Sequence, residues 1–190
     1  MNKKTKIFID GKEGTTGLRI YDRLAAMENV ELIVLSEEDR KNTKKRKEAI
    51  NASDVSFLCL PDQAAIEASE LVENNNTVLI DTSTAHRTDP EWAYGMPELS
   101  EELKNKLINS KRIAVPGCHA SGFIALVYPL IEKGFIADDA RLTCFSLTGY
   151  SGGGKKMIAQ YDTIVIAAPY WDMMFPSALK IYYEQMSQTE

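Results

Sequence analysis

Short apolar segments alternate with longer polar segments of helical period along most of this chain. The apolar segments are rich in Ile, Val, Leu and Phe, as expected of strands buried on both faces of a sheet. In chain order they are TKIFID, NVELIVL, DVSFLCL, TVLID and RIAV. Strands separated by helices are typical of a parallel sheet, so the sequence predicts an α/β fold with helices on both faces of that sheet.

A further set of elements follows the last of these strands. The segment ASGFIALVYPLIEKG predicts an amphipathic helix that ends at Gly134, and ARLTCFSLTGY predicts another strand. From about Tyr161 the pattern changes to one buried strand, an aromatic loop and a final helix. We therefore expect three parts: a first domain over 1–117, the start of an incomplete second α/β domain over 118–160, and a strand–loop–helix tail over 161–190.

Composition excludes several classes of partner. The chain has 190 residues, of which 44% are apolar, and a net charge of −5, so we expect a core-forming protein that does not bind nucleic acid. No apolar run approaches the ~20 residues that span a bilayer, and the N-terminal segment does not resemble a signal peptide. Three widely spaced cysteines fit neither a disulfide framework nor a metal site. The sequence predicts a cytoplasmic protein with no membrane partner and no metal.

A glycine-rich turn follows the first strand and opens the first helix. Gly11, Gly14 and Gly17 follow the spacing G-x-x-G-x-x-G, with Thr15 and Thr16 between the last two glycines. Glycines at such a corner allow the backbone to approach a pyrophosphate, which then accepts hydrogen bonds from the helix N-terminus. The alternative is an ordinary strand–helix turn, but the surrounding alternation favours a Rossmann-like dinucleotide site.

The end of the second strand bears on which dinucleotide is bound. The strand ends at Ser36, and Arg40 and Lys41 follow shortly after it. These three side chains are suited to a ribose 2′-phosphate and favour NADP(H). Glu37 or Glu38 remains available for the ribose hydroxyl of NAD, and a solvated helix start is the structural alternative.

Six motifs in order resemble one enzyme family. They are DGKEGTTGLRI, LCLPD, LIDTSTAHRTD, YGMPEL, VPGCHASG and TGYSGGGKKM, and they cover about residues 4–160. Together they resemble the short form of N-acetyl-gamma-glutamyl-phosphate reductase, an enzyme of arginine biosynthesis. Aspartate-semialdehyde dehydrogenases share the glycine turn and a nucleophilic cysteine. The pair DTSTAHR and PGCHASG fits the acetylglutamyl enzyme better.

The resemblance implies an NADPH-dependent reductase of an acyl phosphate. Cys118 looks like its nucleophile, which attacks N-acetyl-glutamyl 5-phosphate, expels phosphate and forms a thioester that hydride reduces to the semialdehyde. A helix start near His119 would favour the thiolate. Cys59 and Cys144 lie in apolar strand patterns, where we expect buried structural residues.

Other positions carry over from the family residue by residue. Ser83 and Arg87 resemble the loop that binds the substrate or its phosphate. Pro61 follows a strand end that faces the cofactor crevice. A glycine-rich loop that resembles the family's nicotinamide-side loop contains Ser151, Gly152 and Gly153.

The resemblance also has a limit. The family's histidine base lies beyond the glycine-rich loop, whereas this chain has only His86 and His119, both earlier, and neither position is expected to act as the base. Residues 161–190 instead resemble a fragment of flavodoxin-like FMN-dependent azoreductases and quinone reductases, with Pro169, Tyr170, Trp171, Asp172 and Phe175 at the flavin. We therefore expect a catalytic defect. The alternatives are an NADP(H)-binding module without turnover and a flavin-dependent reductase, and a homo-oligomer remains open.

Overall fold

The structure is a computed structural model that describes residues 3–12 and 14–146, with Thr15 described by its backbone alone. Met1–Leu142 forms one compact unit, and of the second unit, Thr143–Glu190, only residues 143–146 are described.

Six parallel strands form one sheet in the described part of the chain. The strands are β1 Thr5–Asp10, β2 Val30–Ile33, β3 Val55–Leu58, β4 Val78–Asp81, β5 Ala93–Tyr94 and β6 Arg112–Ala114. Their order across the sheet is β2-β1-β3-β4-β6-β5, and every neighbouring pair is parallel. The α/β fold with a Rossmann-like parallel sheet, predicted from the apolar runs, is confirmed.

Helices connect most of these strands. They are α1 Thr15–Ala25, α2 Thr43–Ala52, α3 Asp62–Ser69, α4 Glu101–Asn109 and α5 Cys118–Glu132, with a 3₁₀ turn at Asp39–Lys41. Two of them begin with a residue whose side chain caps the helix, and Asn and Ser are preferred at this position. Asn42 accepts hydrogen bonds from the backbone N–H groups of Lys44 and Lys45, and Ser100 accepts one from Leu103.

The strand order reverses beside β1. The chain runs from β1 outward to β2 on one side, and then crosses back to place β3 and β4 on the other side. Because crossovers between parallel strands are right-handed, α1 lies on one face of the sheet and α2 and α3 lie on the other. The reversal leaves a crevice at the carboxyl ends of β1 and β3, which is where ligands bind in sheets of this kind.

The core lies between the central strands and the helices that cover them. Fully buried side chains include Leu58 and Leu79 on β3 and β4, Ile50 on α2 and Ala68 on α3. Burying an aliphatic side chain of this size contributes about 1.5–3 kcal/mol, so these central strands form the rigid frame from which the loops at their carboxyl ends extend.

Three details of the described residues differ from or refine the sequence predictions. The two-residue strand β5 is too short to leave an apolar run, and the sequence did not predict it. The helix predicted after VPGCH forms as α5 and is followed by Gly134 at φ +71°. The strand predicted from Ala140 is wrong over residues 140–146, which are exposed and have no regular structure. The segment contains apolar residues, but no strand among the described residues pairs with it.

Candidate functional site

Most of the candidate residues of the first unit lie in segments that follow strands at one edge of the sheet. The glycine turn follows β1, Pro61 follows β3, Ser83 and Arg87 follow β4, and Cys118 follows β6. The strands are parallel, so these segments all leave the same edge. The sheet thus gathers residues that lie far apart in the sequence, from Gly11 to Cys118.

Two glycines of the turn are required by the packing of the protein itself. Gly11 has φ +84°, and a Cβ there would lie 2.2 Å from the carbonyl oxygen of Cys59 at the end of β3. A Cβ at Gly17 would lie 2.4 Å from the carbonyl oxygen of Gly11. Any side chain at either position would force the backbone apart, so these glycines hold the end of β1 against β3 and the start of α1.

Gly14 differs from the other two glycines. It is the exposed N-cap of α1, with an extended backbone that any residue adopts, and a Cβ there would meet only Gly11, at an ordinary 3.5 Å. Among the described residues no side chain caps α1, and its first turn holds no acidic residue. The start of α1 therefore has uncapped N–H donors and a positive dipole end, and Gly14 leaves space in front of them.

A cavity of about 270 Å³ adjoins this turn, at the carboxyl ends of β1 and β2. Apolar side chains from the ends of both strands line much of it. Its charged lining residues are Lys12, Arg40, Lys41, Arg46 and Asp10. Four cations against one carboxylate give the cavity a positive charge, which suits an anionic ligand.

An ion pair inside this cavity joins β1 to α2. Asp10 accepts hydrogen bonds from Nε of Arg46, at 3.0 and 3.3 Å, and from Nη2 of Arg46, at 2.8 Å. Asp10 is 5% exposed, and the Arg46 side chain is 15% exposed. Burial raises the pKa of Asp10, and the pairing with Arg46 offsets this only in part.

The residues predicted to bind a 2′-phosphate lie around the 3₁₀ turn. Ser36 accepts a hydrogen bond from the backbone N–H of Asp39, so its hydroxyl helps to form that turn. Arg40 and Lys41 line the cavity, and Arg40 also contacts Glu37 at 3.4 Å. The structure thus brings two of the three predicted side chains to one cavity and uses the third to shape the adjoining turn.

The loop after β4 is organised around a fully buried carboxylate. Asp81 accepts hydrogen bonds from the backbone N–H of Ser83 at 2.9 Å and from its hydroxyl at 2.7 Å, and it contacts Nδ1 of His86 at 2.7 Å. The His86 ring stacks on Trp92, with centroids 3.9 Å apart. Ser83 and His86 are both buried. Their polar groups therefore support the loop from inside.

Arg87 connects this loop to the start of α5. Its Nε donates to the carbonyl oxygen of Val115 at 3.0 Å, and its Nη2 donates to that of Thr82 at 3.3 Å. Its Nη1 lies 2.6 Å from where a Cβ of Gly117 would be. Gly117 immediately precedes Cys118, the exposed first residue of α5, and no side chain of the described part of the chain caps this helix. The structure thus brings Arg87 to the helix end that carries Cys118.

The other two cysteines have different surroundings. Cys59 is partly buried beside Thr82, and burial raises the pKa of its thiol to about 11. Cys144 is exposed, so the prediction of a buried strand residue is wrong for it, because residues 140–146 form no strand. The predicted loop residues Ser151, Gly152 and Gly153 lie outside the described residues.

A family model decides the classification of the chain. Residues 6–106, more than half of the chain, match the NAD-binding domain of semialdehyde dehydrogenases. The chain belongs to the semialdehyde dehydrogenase family. The glycine turn, the cavity and the loop after β4 all fall inside this matched NAD-binding domain.

Curated relatives narrow the likeness within the semialdehyde dehydrogenase family. The chain is 46% identical over 160 residues to an N-acetyl-gamma-glutamyl-phosphate reductase of Sinorhizobium medicae (strain WSM419), which covers 84% of this chain and 52% of the relative. It is 44% identical, over the same share of the chain and 50% of the relative, to the enzyme of the same name of Trichormus variabilis. The chain spans about half the length of the curated relatives it matches.

Solved structures of the semialdehyde dehydrogenase family have the same fold. Aspartate semialdehyde dehydrogenase from Francisella tularensis has a TM-score of 0.52 at 14% identity, covering 68% of this chain and 41% of that one. Aspartate semialdehyde dehydrogenase II from Vibrio cholerae, complexed with ASA, has a TM-score of 0.50 at 17% identity, covering 68% and 47%. The family model and the relatives give no support to the flavodoxin-like resemblance of residues 161–190, which lie outside the described residues.

Sequence reasoning missed several contacts between site residues of this semialdehyde dehydrogenase domain. Asp10 ends an apolar strand, which signals a buried carboxylate that needs a cation, but Arg46 lies in a basic run that resembles a solvated helix face. Asp62, at the start of α3, accepts hydrogen bonds from the hydroxyl and the backbone N–H of Thr84, which hold the pKa of Asp62 below its usual range. These pairs are 22 and 36 positions apart, so no local pattern indicates them.

No helix among the described residues is long and apolar enough to cross a membrane.

Proposed function

We propose that this chain binds NADP(H) and reduces N-acetyl-glutamyl 5-phosphate to the 5-semialdehyde, with release of phosphate. The observation that carries this proposal is the arrangement of one sheet edge. The open N-terminus of α1, a positively charged cavity, Arg87 and Cys118 all follow strand ends of the same parallel sheet. The identity of the substrate is taken from the curated relatives, which are named N-acetyl-gamma-glutamyl-phosphate reductases.

The described residues fit a dinucleotide. The uncapped N–H groups of Thr15, Thr16 and Gly17 suit the pyrophosphate, and the space at Gly14 allows it to approach. Arg40 and Lys41 in the cavity favour a 2′-phosphate, with Ser36 supporting their turn, while Gly11 and Pro61 shape the two sides of the crevice. The bound cofactor supplies hydride. We assign Ser151, Gly152 and Gly153 to its nicotinamide side from the family resemblance.

Cys118 is the proposed nucleophile. Its thiolate attacks the acyl carbon of the substrate, the bond from that carbon to the phosphate oxygen breaks, and phosphate leaves with the electron pair. The resulting thioester carbonyl accepts hydride, and the carbon–sulfur bond then breaks to release the semialdehyde and the thiolate. Sulfur suits both steps because a thioester stays electrophilic and a thiolate leaves readily.

Arg87 is the proposed phosphate ligand at the same helix end. Two of its nitrogens donate to backbone carbonyls, and Nη1 lies against Gly117 beside Cys118. A guanidinium so held provides a fixed positive charge for the substrate's phosphoryl group. Ser83 contributes to substrate binding through the loop, since its hydroxyl is bound to Asp81.

Several broader assignments belong to this proposal. Residues 1–117 bind the dinucleotide, 118–160 begin the catalytic part, and the protein acts on a small molecule in the cytoplasm, as a homo-oligomer. A second candidate function is NADP(H) binding without turnover. Two observations favour binding without turnover: Cys118 is exposed, and none of the described residues of α5 is buried. A thioester formed at such an open position would be hydrolysed by water before hydride reduced it.

Cofactor binding is tested first at Gly14. Asp is a preferred N-cap residue, so Gly14→Asp is expected to fold at least as well as the parent while its charge repels a pyrophosphate. Gly14→Asn is the matched control that caps the helix without charge. Thermal unfolding is measured with and without NADPH. At ~100 times the dissociation constant, NADPH stabilises the parent by about 2.7 kcal/mol.

The pattern across the three proteins decides the outcome. A shift of the unfolding midpoint in the parent, a smaller shift in Gly14→Asn and none in Gly14→Asp is expected. Equal shifts in all three proteins would place the nucleotide elsewhere, and no shift in the parent would contradict the proposed function.

Turnover separates the two candidate functions. The reverse reaction is followed as NADPH absorbance with the semialdehyde, inorganic phosphate and NADP+, using Cys118→Ala as the control. Phosphate-dependent NADPH formation that Cys118→Ala abolishes is expected for the reductase. NADPH binding without this signal identifies the binding module.

A further inference from the structure

The Asp10–Arg46 pair is a charged feature of the cofactor cavity that the proposed function has not used. Asp10 is the last residue of β1, directly before the glycine turn, and Arg46 lies on α2, which packs against β1. Both residues line the cavity. The pair is therefore placed where it acts on whatever ligand occupies the cavity.

The geometry of the pair leaves one side of the guanidinium available. Arg46 uses Nε and Nη2 to bind the Asp10 carboxylate, at 2.8 to 3.3 Å. Nη1 has no hydrogen-bond acceptor among the residues that the structure describes. Because the guanidinium is planar and held at two nitrogens by a nearly buried carboxylate, the direction of Nη1 is fixed by the protein before any ligand binds.

The charges around the pair indicate which ligand group it suits. Asp10 is the only carboxylate among the described residues that line the cavity, and Arg46 compensates its charge. Lys12, Arg40 and Lys41 then leave a net positive charge. Without Arg46, the unpaired Asp10 carboxylate would repel a phosphate placed next to it and would suit a ribose hydroxyl instead.

We propose that Arg46 is a specificity-determining residue for NADP(H), donating from Nη1 to the 2′-phosphate, and that Asp10 is the positioning residue that orients it. This inference rests on the proposed function, since it assigns a role within the same cofactor site. It adds to Arg40 and Lys41 of the 3₁₀ turn a rigid donor supplied from α2. It also explains why a buried carboxylate is compatible with an anionic ligand.

The test compares NADPH and NADH on the full chain. Dissociation constants for both nucleotides are measured by calorimetric titration for the parent, Arg46→Gln, Arg46→Lys and Asp10→Asn. Arg46→Gln is expected to weaken NADPH roughly 10- to 100-fold, the range of a charge-assisted hydrogen bond, and to change NADH less than about 3-fold. Arg46→Lys keeps the charge without the two-nitrogen anchor and is expected to recover part of the loss.

Asp10→Asn probes the positioning role. It leaves the Arg46 charge in place but removes its anchor, so the NADPH-to-NADH preference is expected to fall by about 3-fold or more. A merely structural role predicts equal losses for both nucleotides. Adenosine 2′,5′-bisphosphate and ADP serve as probes that lack the nicotinamide, and they are expected to show the same pattern.

A matched arginine provides the control. Arg112 is partly buried and donates to the carbonyl oxygens of Thr77 and Lys111 at the opposite edge of the sheet. Arg112→Gln is expected to leave both affinities unchanged, with the folded fraction of each variant checked by circular dichroism. If Arg46→Gln does not fold, the ratio of the NADPH and NADH dissociation constants of Arg46→Lys tests the role of Arg46 instead.

The outcomes separate this inference from the proposed function. A parent that binds neither nucleotide overturns both. A parent that prefers NADPH, with the preference unchanged in every Arg46 and Asp10 variant, overturns only the inference. Equal losses of NADPH and NADH in the Arg46 variants also overturn it, because they would place Arg46 against the part that the two cofactors share.

Discussion

At the scale of single residues, burial separates cysteines that the sequence presents in similar ways. Burial raises the pKa of Cys59 to about 11, because a thiolate there loses the solvation that it has in water. Cys118 and Cys144 are exposed. We therefore expect exposure in the structure to set how fast each cysteine reacts with a small alkylating agent. The apolar neighbours of Cys144 in the sequence would instead have indicated a buried, unreactive thiol.

At pH 8, a thiol of pKa 11 is about one part in a thousand thiolate, so iodoacetamide is expected to modify Cys59 at least ten times more slowly than Cys118. Peptide mapping by mass spectrometry after timed quenching measures the three rates. Cys118→Ala is expected to lose one fast site and leave the slow one. Comparable rates at Cys59 and Cys118 in the folded protein would contradict this assignment.

At the scale of elements, the turn between β1 and α1 contains glycines of two kinds. Gly17 is needed because a Cβ there would lie 2.4 Å from a backbone oxygen, whereas a Cβ at Gly14 makes an ordinary contact at 3.5 Å. Gly17→Ala is expected to destabilise the fold by about 1–3 kcal/mol through overpacking. Gly14→Ala is expected to be neutral or slightly stabilising, since Ala narrows the unfolded ensemble.

Urea unfolding of the two alanine variants checks this prediction. Both variants replace a glycine of the same turn by alanine. The difference between their free energies of unfolding therefore measures the space available for a Cβ at each position. Similar stabilities would mean that the start of α1 moves freely away from β1, and the steric reason for Gly17 would then be wrong.

The loop after β4 is a second element whose role is internal. His86 places its ring on Trp92 and its Nδ1 on the fully buried Asp81. His86→Phe keeps a ring for the stack but removes a partner of a buried carboxylate, so a loss of about 1–3 kcal/mol is expected from urea unfolding. His86→Ala removes the stack as well and is expected to lose more. If the two variants were equally stable, the stack would contribute nothing.

The elements also show what the sequence is able to predict. The periodic apolar runs predicted β1, β2, β3, β4 and β6, because a central parallel strand must be apolar on both faces. A two-residue strand such as β5 leaves no such run. Apolar composition alone predicted a strand from Ala140, where the described residues form none.

The candidate site was predictable only where a motif is local. The glycine turn and the segment around Cys118 lie in single stretches of sequence that the fold then places at one edge. The Asp10–Arg46 and Asp62–Thr84 contacts join separate elements, and only the strand order brings them together. In the chain, Asp10 resembles a strand end and Arg46 an ordinary surface charge, and no local pattern links Asp62 to Thr84.

At the scale of the whole molecule, two carboxyl groups give stability opposite dependences on pH. Burial raises the pKa of Asp10 above the ordinary 3.8, so folding takes up a proton there. Its contribution is fully present below pH 3.8 and is lost as pH rises through the raised value. The hydrogen bonds from Thr84 lower the pKa of Asp62, whose contribution is present above pH 3.8 and is lost as pH falls through the lowered value.

The corresponding asparagine variants isolate these two terms. The stability of Asp10→Asn relative to the parent is expected to increase as pH rises from 3.8 through the raised pKa and then to level off. That of Asp62→Asn relative to the parent is expected to increase as pH falls below 3.8, because the parent loses a contribution that the variant lacks. Urea unfolding at half-unit intervals from pH 3 to 7 measures both differences. Slopes of the same sign would mean that Arg46 outweighs burial at Asp10, and the Asp10 carboxylate would then be an ordinary stabilising partner.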